Sequence, residues 1–192
     1  MNFSKEEYKS RLKKVQSLMQ EKSIELLISS DTANMNYLTG YDLIEKNIKL
    51  AKPEAKVTTP ITSAIKALKA FNISKISVFT PYTKSINDSL ISYFNKENIT
   101  VNGLTYFDIE SDLDIGKVDE NHLFDVLSKI DLADSEALFI SCTALPALSI
   151  INKLEKKINK VVLSSNQTLI WDSLNAIDYK EKIEGFGKLF NS

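Results

Sequence analysis

The one cysteine of this chain, Cys142, stands in Ala137-Leu-Phe-Ile-Ser-Cys-Thr-Ala-Leu-Pro146, where a buried strand should hand over to a helix. A thiol at a helix N-terminus lies among free peptide N–H groups and at the positive end of the helix dipole. That field can lower its pKa from about 8.5 into the range ~3.5–7.5. The placement therefore predicts a group able to attack carbon or to move a proton. The backbone N–H groups that follow, from Thr143 onward, could hold a carboxylate. The same pattern also suits an inert core cysteine, since free cysteines are among the most commonly buried residues.

Two other side chains follow strands. Tyr82, in Thr80-Pro-Tyr-Thr83, could donate a hydrogen bond into the same rim, or be a half-buried structural tyrosine. Asn166, in Ser164-Ser-Asn-Gln167, could bind a substrate or merely cap its own helix. His122, the only histidine, lies early in a helix on an expected solvent face. The acidic run Asp108-Ile-Glu-Ser-Asp-Leu-Asp114 reads as a solvated loop. One histidine and one cysteine give no zinc spacing, and five glycines supply neither a GxGxxG nor a P-loop.

These groups need elements to hold them. A first helix is expected where Ser4 and Glu7 form a capping box and Tyr8, Leu12, Val15 and Met19 share a face. A short strand Glu25–Ser29 and a cap at Asp31–Asn34 follow, and residues 41–56 have no clean periodicity. Thr59 then caps a helix with Pro60 at its first position. After it come strands near 75–79, 99–104, 137–141 and 160–163. Helices are expected from about 83, with Ile86, Leu90 and Phe94 on the inner stripe, from about 120, over 145–157, over 166–174 and over 179–190. Short apolar strands alternating with helices predict a parallel sheet covered on both faces. Ligands of such sheets bind beyond the C-terminal strand ends, where Thr80–Thr83, Cys142–Ala144 and Ser164–Gln167 should converge.

Composition narrows the function classes. With 24 basic and 25 acidic residues the net charge is −1, which gives no electrostatic case for nucleic acid or an anionic membrane. No apolar run approaches a transmembrane span, and the N-terminal residues have no signal-peptide core. A single cysteine leaves no internal disulfide and fits a cytoplasmic location.

Five segments resemble the aspartate/glutamate racemase superfamily, in the branch of maleate cis–trans isomerase and arylmalonate decarboxylase and especially its ectoine-utilisation members. They are Lys56-Val-Thr-Thr-Pro-Ile-Thr-Ser-Ala64, Phe79-Thr-Pro-Tyr-Thr83, Ser111-Asp-Leu-Asp-Ile-Gly-Lys117, Leu138-Phe-Ile-Ser-Cys-Thr-Ala-Leu145 and Ser164-Ser-Asn-Gln-Thr-Leu-Ile-Trp171. The resemblance implies a cofactor-independent enzyme of two similar α/β domains, each contributing one cysteine to a small carboxylate substrate between them. By it, Cys142 is the catalytic cysteine of the second domain. Tyr82, Thr143, Asn166 and Thr59 are substrate-binding residues, with Thr59 in a threonine–proline motif near the domain junction.

The first domain of that family has no counterpart in this sequence. Instead Glu7-Tyr-Lys-Ser-Arg-Leu-Lys-Lys-Val-Gln16 and Asn34-Met-Asn-Tyr-Leu-Thr-Gly-Tyr-Asp42 resemble the start of a creatinase/prolidase-type metallohydrolase of the ectoine hydrolase kind. That family's metal ligands lie in a domain with no counterpart here. The expectation is thus a hydrolase-like fragment over 1–42, a junction over 43–55, and a racemase-like second domain over 56–192. The fold expected is α/β, a three-layer half-domain with a four-stranded parallel sheet and an N-terminal helix–strand–helix appendage. An apolar face left near the last helix would favour a homodimer. The functional alternatives are a cysteine-based isomerase or racemase of ectoine breakdown and an inactive fusion remnant or carboxylate-binding module.

Overall fold

A computed structural model of the chain describes residues 5–22, 48, 52–132, 134–179 and 181–191. The Ser4 cap, the strand Glu25–Ser29, the cap at Asp31–Asn34 and the Asn34–Asp42 segment lie outside the described residues. The chain divides into two units, Met1–Thr59 and Pro60–Ser192. In the first, helix α1 (Lys5–Glu21) carries an ion pair between Glu7 and Arg11 at 2.6 Å, one turn apart on an exposed face.

The second unit begins with α2 (Pro60–Ala70), where proline fits the first helical turn because its missing N–H would have had no partner there. Then follow β1 (Lys75–Thr80), α3 (Lys84–Lys96), β2 (Thr100–Tyr106), the single turn α4 (Asp112–Ile115) and α5 (Glu120–Leu127). β3 (Ala137–Ile140), α6 (Ile151–Ile158), β4 (Val161–Ser164) and α7 (Ser165–Ala176) complete the set. The four strands form one parallel sheet in the order β2-β1-β3-β4. The protein is thus an α/β fold with a four-stranded parallel sheet, as the alternation of apolar strands and helices requires.

The period-2 geometry of β3 shows how the layers are made. Ala137 and Phe139 join Ile76, Val78 and Leu163 in a core covered by Ala64 and Leu68 of α2 and Phe94 of α3. Leu138 and Ile140 point the other way, into a core with Phe79, Val162, Leu123 and Leu127 of α5, and Ile151 and Leu154 of α6. Every residue of β3 is buried, so its run of four apolar side chains serves two cores at once.

Three sequence expectations need correction. The helix expected from 145 starts later: a seven-residue loop, a 3-10 turn at Leu148–Ile150 and only then α6 follow β3. Pro146 disfavours helical backbone at Leu145, and the Ala147 N–H closes a tight turn onto the Leu145 carbonyl at 2.8 Å. The helix expected over 179–190 is instead a turn-rich segment ending in a 3-10 turn at Lys188–Asn191. Gly185 and Gly187, at φ of 90° and 87°, hold backbone that a right-handed helix does not use. On α3 the inward stripe runs through Asn87 and Phe94, and Ile86 is 48% exposed.

β4 is an edge strand, and its outward amides are taken up locally rather than left open. The Val162 N–H donates to Glu155 Oε1 of α6 at 3.1 Å, and the Ser164 N–H donates to Gln167 Oε1 at 3.2 Å. The other Glu155 oxygen accepts the Lys188 N–H at 2.9 Å, and Gln167 Nε2 donates to the Phe186 carbonyl at 2.6 Å. The C-terminal segment is thereby tied along this edge. Gly187 is required at the tie: a Cβ there would come within 2.6 Å of Ile151 Cγ2.

Candidate active site

At the end of β3 the chain stays in register for one more residue, Ser141, whose N–H donates to the Phe79 carbonyl at 2.8 Å. It then leaves the sheet. The Cys142 N–H donates to Ser165 Oγ on the first residue of α7 at 3.2 Å, and the Ala144 N–H donates to Cys142 Sγ at 3.3 Å. One residue further along α7, Asn166 Nδ2 donates to the Thr143 carbonyl at 2.9 Å. The tip of the cysteine loop is therefore carried by α7, the helix of the neighbouring strand, through consecutive side chains.

Tyr82 approaches from the β1–α3 turn, and its side chain hydrogen-bonds the thiol. Four of the five candidates, Cys142, Tyr82, Thr143 and Asn166, are thus gathered at one end of the sheet. Thr59 is buried and closes the first unit, one residue before α2. Asn166 does not cap its helix. Ser164 does, accepting the Gln167 N–H at 3.3 Å while Gln167 reaches back to the Ser164 N–H, a complete capping box. Asn166 is thereby left to hold the cysteine loop.

The electrostatics also differ from the expectation. Cys142 lies six residues before the first 3-10 turn rather than at a helix N-terminus, so it lacks the dipole that would favour thiolate. It is 5% exposed, and burial pushes its thiol above the ordinary range. The Tyr82 hydrogen bond and the amides of Ala144 and Leu145 pull it down, less strongly, and the Asp112 carboxylate of α4 pushes it further up. At neutral pH this is a protonated thiol with three donors around the sulfur, ready to stabilise negative charge when the proton leaves. A buried acid of that kind suits proton delivery to carbon, or addition to a double bond that accepts its proton.

Sequence reasoning missed Ser165, Asn87 and Asp112. Asp112 belongs to an acidic run that reads as a solvated loop, yet its charge acts on the thiol across space. His122 lies as expected at the start of α5, where Asp119 caps its N–H at 2.9 Å, and its ring stacks on Phe107 at 5.9 Å. Among the described residues, no three His, Cys, Asp or Glu side chains come together as a metal site, and no helix is long and apolar enough to cross a membrane.

The sequence profile of arylmalonate decarboxylase matches residues 22–190. The chain belongs to that family. The maleate isomerase of Geobacillus stearothermophilus is 23% identical over 138 residues, covering 71% of this chain and 55% of its own. The chain therefore spans little more than half the length of this relative. Among solved structures of this fold is the Nocardia farcinica maleate cis–trans isomerase, in a variant with a covalently bound succinylcysteine intermediate. It superposes with a TM-score of 0.70 at 18% identity, over 76% of this chain and 60% of that one. A different likeness concerns a 42-residue stretch, 22% of the chain. It is 48% identical to an uncharacterized hydrolase/peptidase of Sinorhizobium fredii, of which it covers 11%.

Proposed function

We propose that this chain acts on a small carboxylate by cofactor-independent cysteine chemistry, an isomerisation or racemisation in which Cys142 is the reacting group. The observation that carries the reading is the Cys142 sulfur itself: buried, protonated, and met at once by the Tyr82 side chain and the Ala144 N–H. Thr143, Asn166 and Tyr82 stand on the same loops and turns, and we assign them to substrate binding. The family and its maleate isomerase members support a dicarboxylate or similar substrate. The succinylcysteine of the Nocardia protein supports a route in which sulfur adds to the double bond, the central bond rotates, and the adduct collapses to the trans product.

A chain with one thiol can also work by donating a proton, the step that follows decarboxylation in a one-cysteine mechanism. The upward-shifted thiol favours that branch, because the acid form is the one populated at neutral pH. We place the activity in ectoine breakdown in the cytoplasm. The 42-residue hydrolase-like stretch has the length of the fragment expected over 1–42, and supports a fusion of the start of an ectoine hydrolase-type protein to a racemase-type domain. A homodimer through the apolar surface near α7 is part of the same proposal; Ile170, Ile177 and Tyr179 are exposed there.

The second reading, an inactive remnant or a carboxylate-binding module, is favoured by the match to 55% of a relative together with a single cysteine in 192 residues. One experiment separates the two. Purified protein is incubated in deuterated buffer with maleate, aspartate or diaminobutyrate compounds and followed by NMR, beside Cys142→Ala. Cysteine-dependent isomerisation or deuterium incorporation at carbon supports the enzyme; a folded protein that exchanges nothing supports the binding module or remnant.

A further inference from the structure

The turn between β1 and α3 is closed by a ring of hydrogen bonds centred on Asn87, a residue with no part in the chemistry proposed above. Asn87 is fully buried and spends its whole amide on this turn. Thr80 Oγ1 donates to Asn87 Oδ1 at 2.6 Å, Asn87 Nδ2 donates to the Tyr82 carbonyl at 3.2 Å, and the Tyr82 N–H donates to Thr80 Oγ1 at 3.2 Å. Thr80 is itself fully buried. Its hydroxyl has one proton, which goes to Asn87, so only its lone pairs face Tyr82 and the ring has a single sense. Both polar groups of the Tyr82 main chain are thereby fixed.

A buried amide of this kind adds little net stability over an apolar side chain of similar size, because its desolvation offsets much of what its hydrogen bonds return. The rest of the inward face of α3 is apolar, with Phe94 and Leu90 packed in the core. What the ring achieves is placement. Tyr82 is two residues beyond the strand, and its side chain reaches the sulfur of Cys142. We propose that Asn87 is a positioning residue: through Thr80 and the Tyr82 main chain it keeps the Tyr82 phenol on the Cys142 sulfur. The inference rests on the reading of Cys142 as the reacting group. The titratable groups that act on that thiol among the described residues are Tyr82 from this turn and Asp112 from α4.

Because the chain has one thiol, the pH dependence of its alkylation by iodoacetamide reports Cys142 ionisation without any turnover. A phenol donating to sulfur favours thiolate, so losing it must move the alkylation midpoint upward. Tyr82→Phe is expected to raise the midpoint by roughly one pH unit, the size of a hydrogen bond to an ionised group. Asn87→Ala should reproduce most of that rise, and the double variant should rise no further than Tyr82→Phe alone. Thr80→Val, which keeps the shape and removes the orienting hydroxyl, should move the midpoint the same way, and Thr80→Ser should return it to the parent value. The Thr80 pair decides the question if Asn87→Ala fails to fold.

The proposal is overturned if Tyr82→Phe leaves the midpoint in place. It is equally overturned if Tyr82→Phe shifts while Asn87→Ala or, in its place, Thr80→Val does not, or if the Asn87 and Tyr82 shifts add. A protein that shows the expected shifts and no turnover would lose the proposed function and keep the positioning network.

Discussion

The C-terminal ends of β3 and β4 lie side by side on one sheet and are finished in opposite ways. At β4 the helix starts at once: Ser164 is both the last strand residue and the cap of α7, and its bonds close on Gln167 within the same turn. At β3 the chain runs for seven residues before a 3-10 turn begins, and its polar groups are held from outside, by Ser165 and Asn166. The first ending satisfies its own backbone; the second is aimed by its neighbour. Four consecutive residues are thus divided between two tasks. Ser164 and Gln167 hold the fold together, and Ser165 and Asn166 hold the thiol loop. Damage to the β4 end should therefore appear as lost stability, and damage to the β3 end as lost chemistry.

The largest effect expected is that of Cys142→Ala. Removing the group proposed to react should lower turnover by about 10²–10⁴-fold. The melting temperature should stay close to the parent value, because the sulfur's bonds are to an amide and a phenol that solvent can reach once the thiol is gone. A large loss of stability with no turnover to lose would make Cys142 a core residue and erase the contrast. The pH profile sharpens the point. The folded thiol is shifted upward, so a proton donor should work at a constant rate through neutral pH and fail as pH rises through the thiol's folded value. An enzyme that needs thiolate from the start would show the opposite slope.

Next in size is Glu155→Ala, at the β4 edge. The buried Val162 amide would lose its acceptor, and so would the Lys188 amide at the surface, which costs about 1–3 kcal/mol of stability, most of it from Val162 by the usual penalty for a buried unsatisfied group. Chemical denaturation should show it, and the alkylation profile of Cys142 should not move. Burial raises the Glu155 pKa against the pull of these two amides. The native state therefore holds its proton more tightly than the unfolded chain. That contribution to stability is complete below the ordinary carboxylate range and is lost as pH rises through the folded value. Glu155→Gln, which cannot ionise, should flatten that part of the stability profile.

How much of this was readable beforehand follows from which interactions are local. The sheet and its helices were legible because the strands are apolar on both faces and the helices amphipathic. Tyr82, Cys142 and Asn166 were legible as residues just past strand ends. The direction of the Cys142 shift was not, because it follows first from how deeply the fold buries the thiol, and the helix that would have opposed it starts half a dozen residues later than expected. Asn87 was hidden for another reason. Positions 86, 90 and 94 and positions 87, 90 and 94 both satisfy a helical repeat, and an apolar count prefers the stripe with Ile86. The structure takes the stripe with the asparagine, because Thr80 and Tyr82, distant in character but adjacent in the turn, supply its partners. Ser165 had no local mark at all, since its partner is 23 residues away.

Ser165→Ala tests the aimed ending more finely. The Cys142 N–H would lose its acceptor while the cap of α7, which belongs to Ser164, remains. A turnover loss on the order of tenfold per folded molecule, the equivalent of one ordinary hydrogen bond, is expected on top of the about 1–3 kcal/mol of stability that a buried N–H without acceptor costs. Ser164→Ala should cost about 1 kcal/mol of stability with turnover per folded molecule unchanged. If both variants lost stability and activity in proportion, the two strand ends would form a single structural joint.

The smallest effect expected is that of Asn166→Ala, and it discriminates between the two readings of this residue. Its amide holds the Thr143 carbonyl at 2.9 Å in a half-buried setting that water can enter, so the stability cost should be under about 1 kcal/mol. If Asn166 serves only to steady the loop, turnover should fall a few-fold with KM unchanged, and Asn166→Gln or Asn166→Ser, which keep a donor, should recover part of it. If it binds a substrate carboxylate as well, KM should rise instead, and a longer or shorter donor should not restore it. A rise in KM alone would thus move Asn166 from the frame of the thiol loop into the substrate's own contacts. That would make the first turn of α7 a surface serving three ends: its own cap, the neighbouring strand, and the ligand.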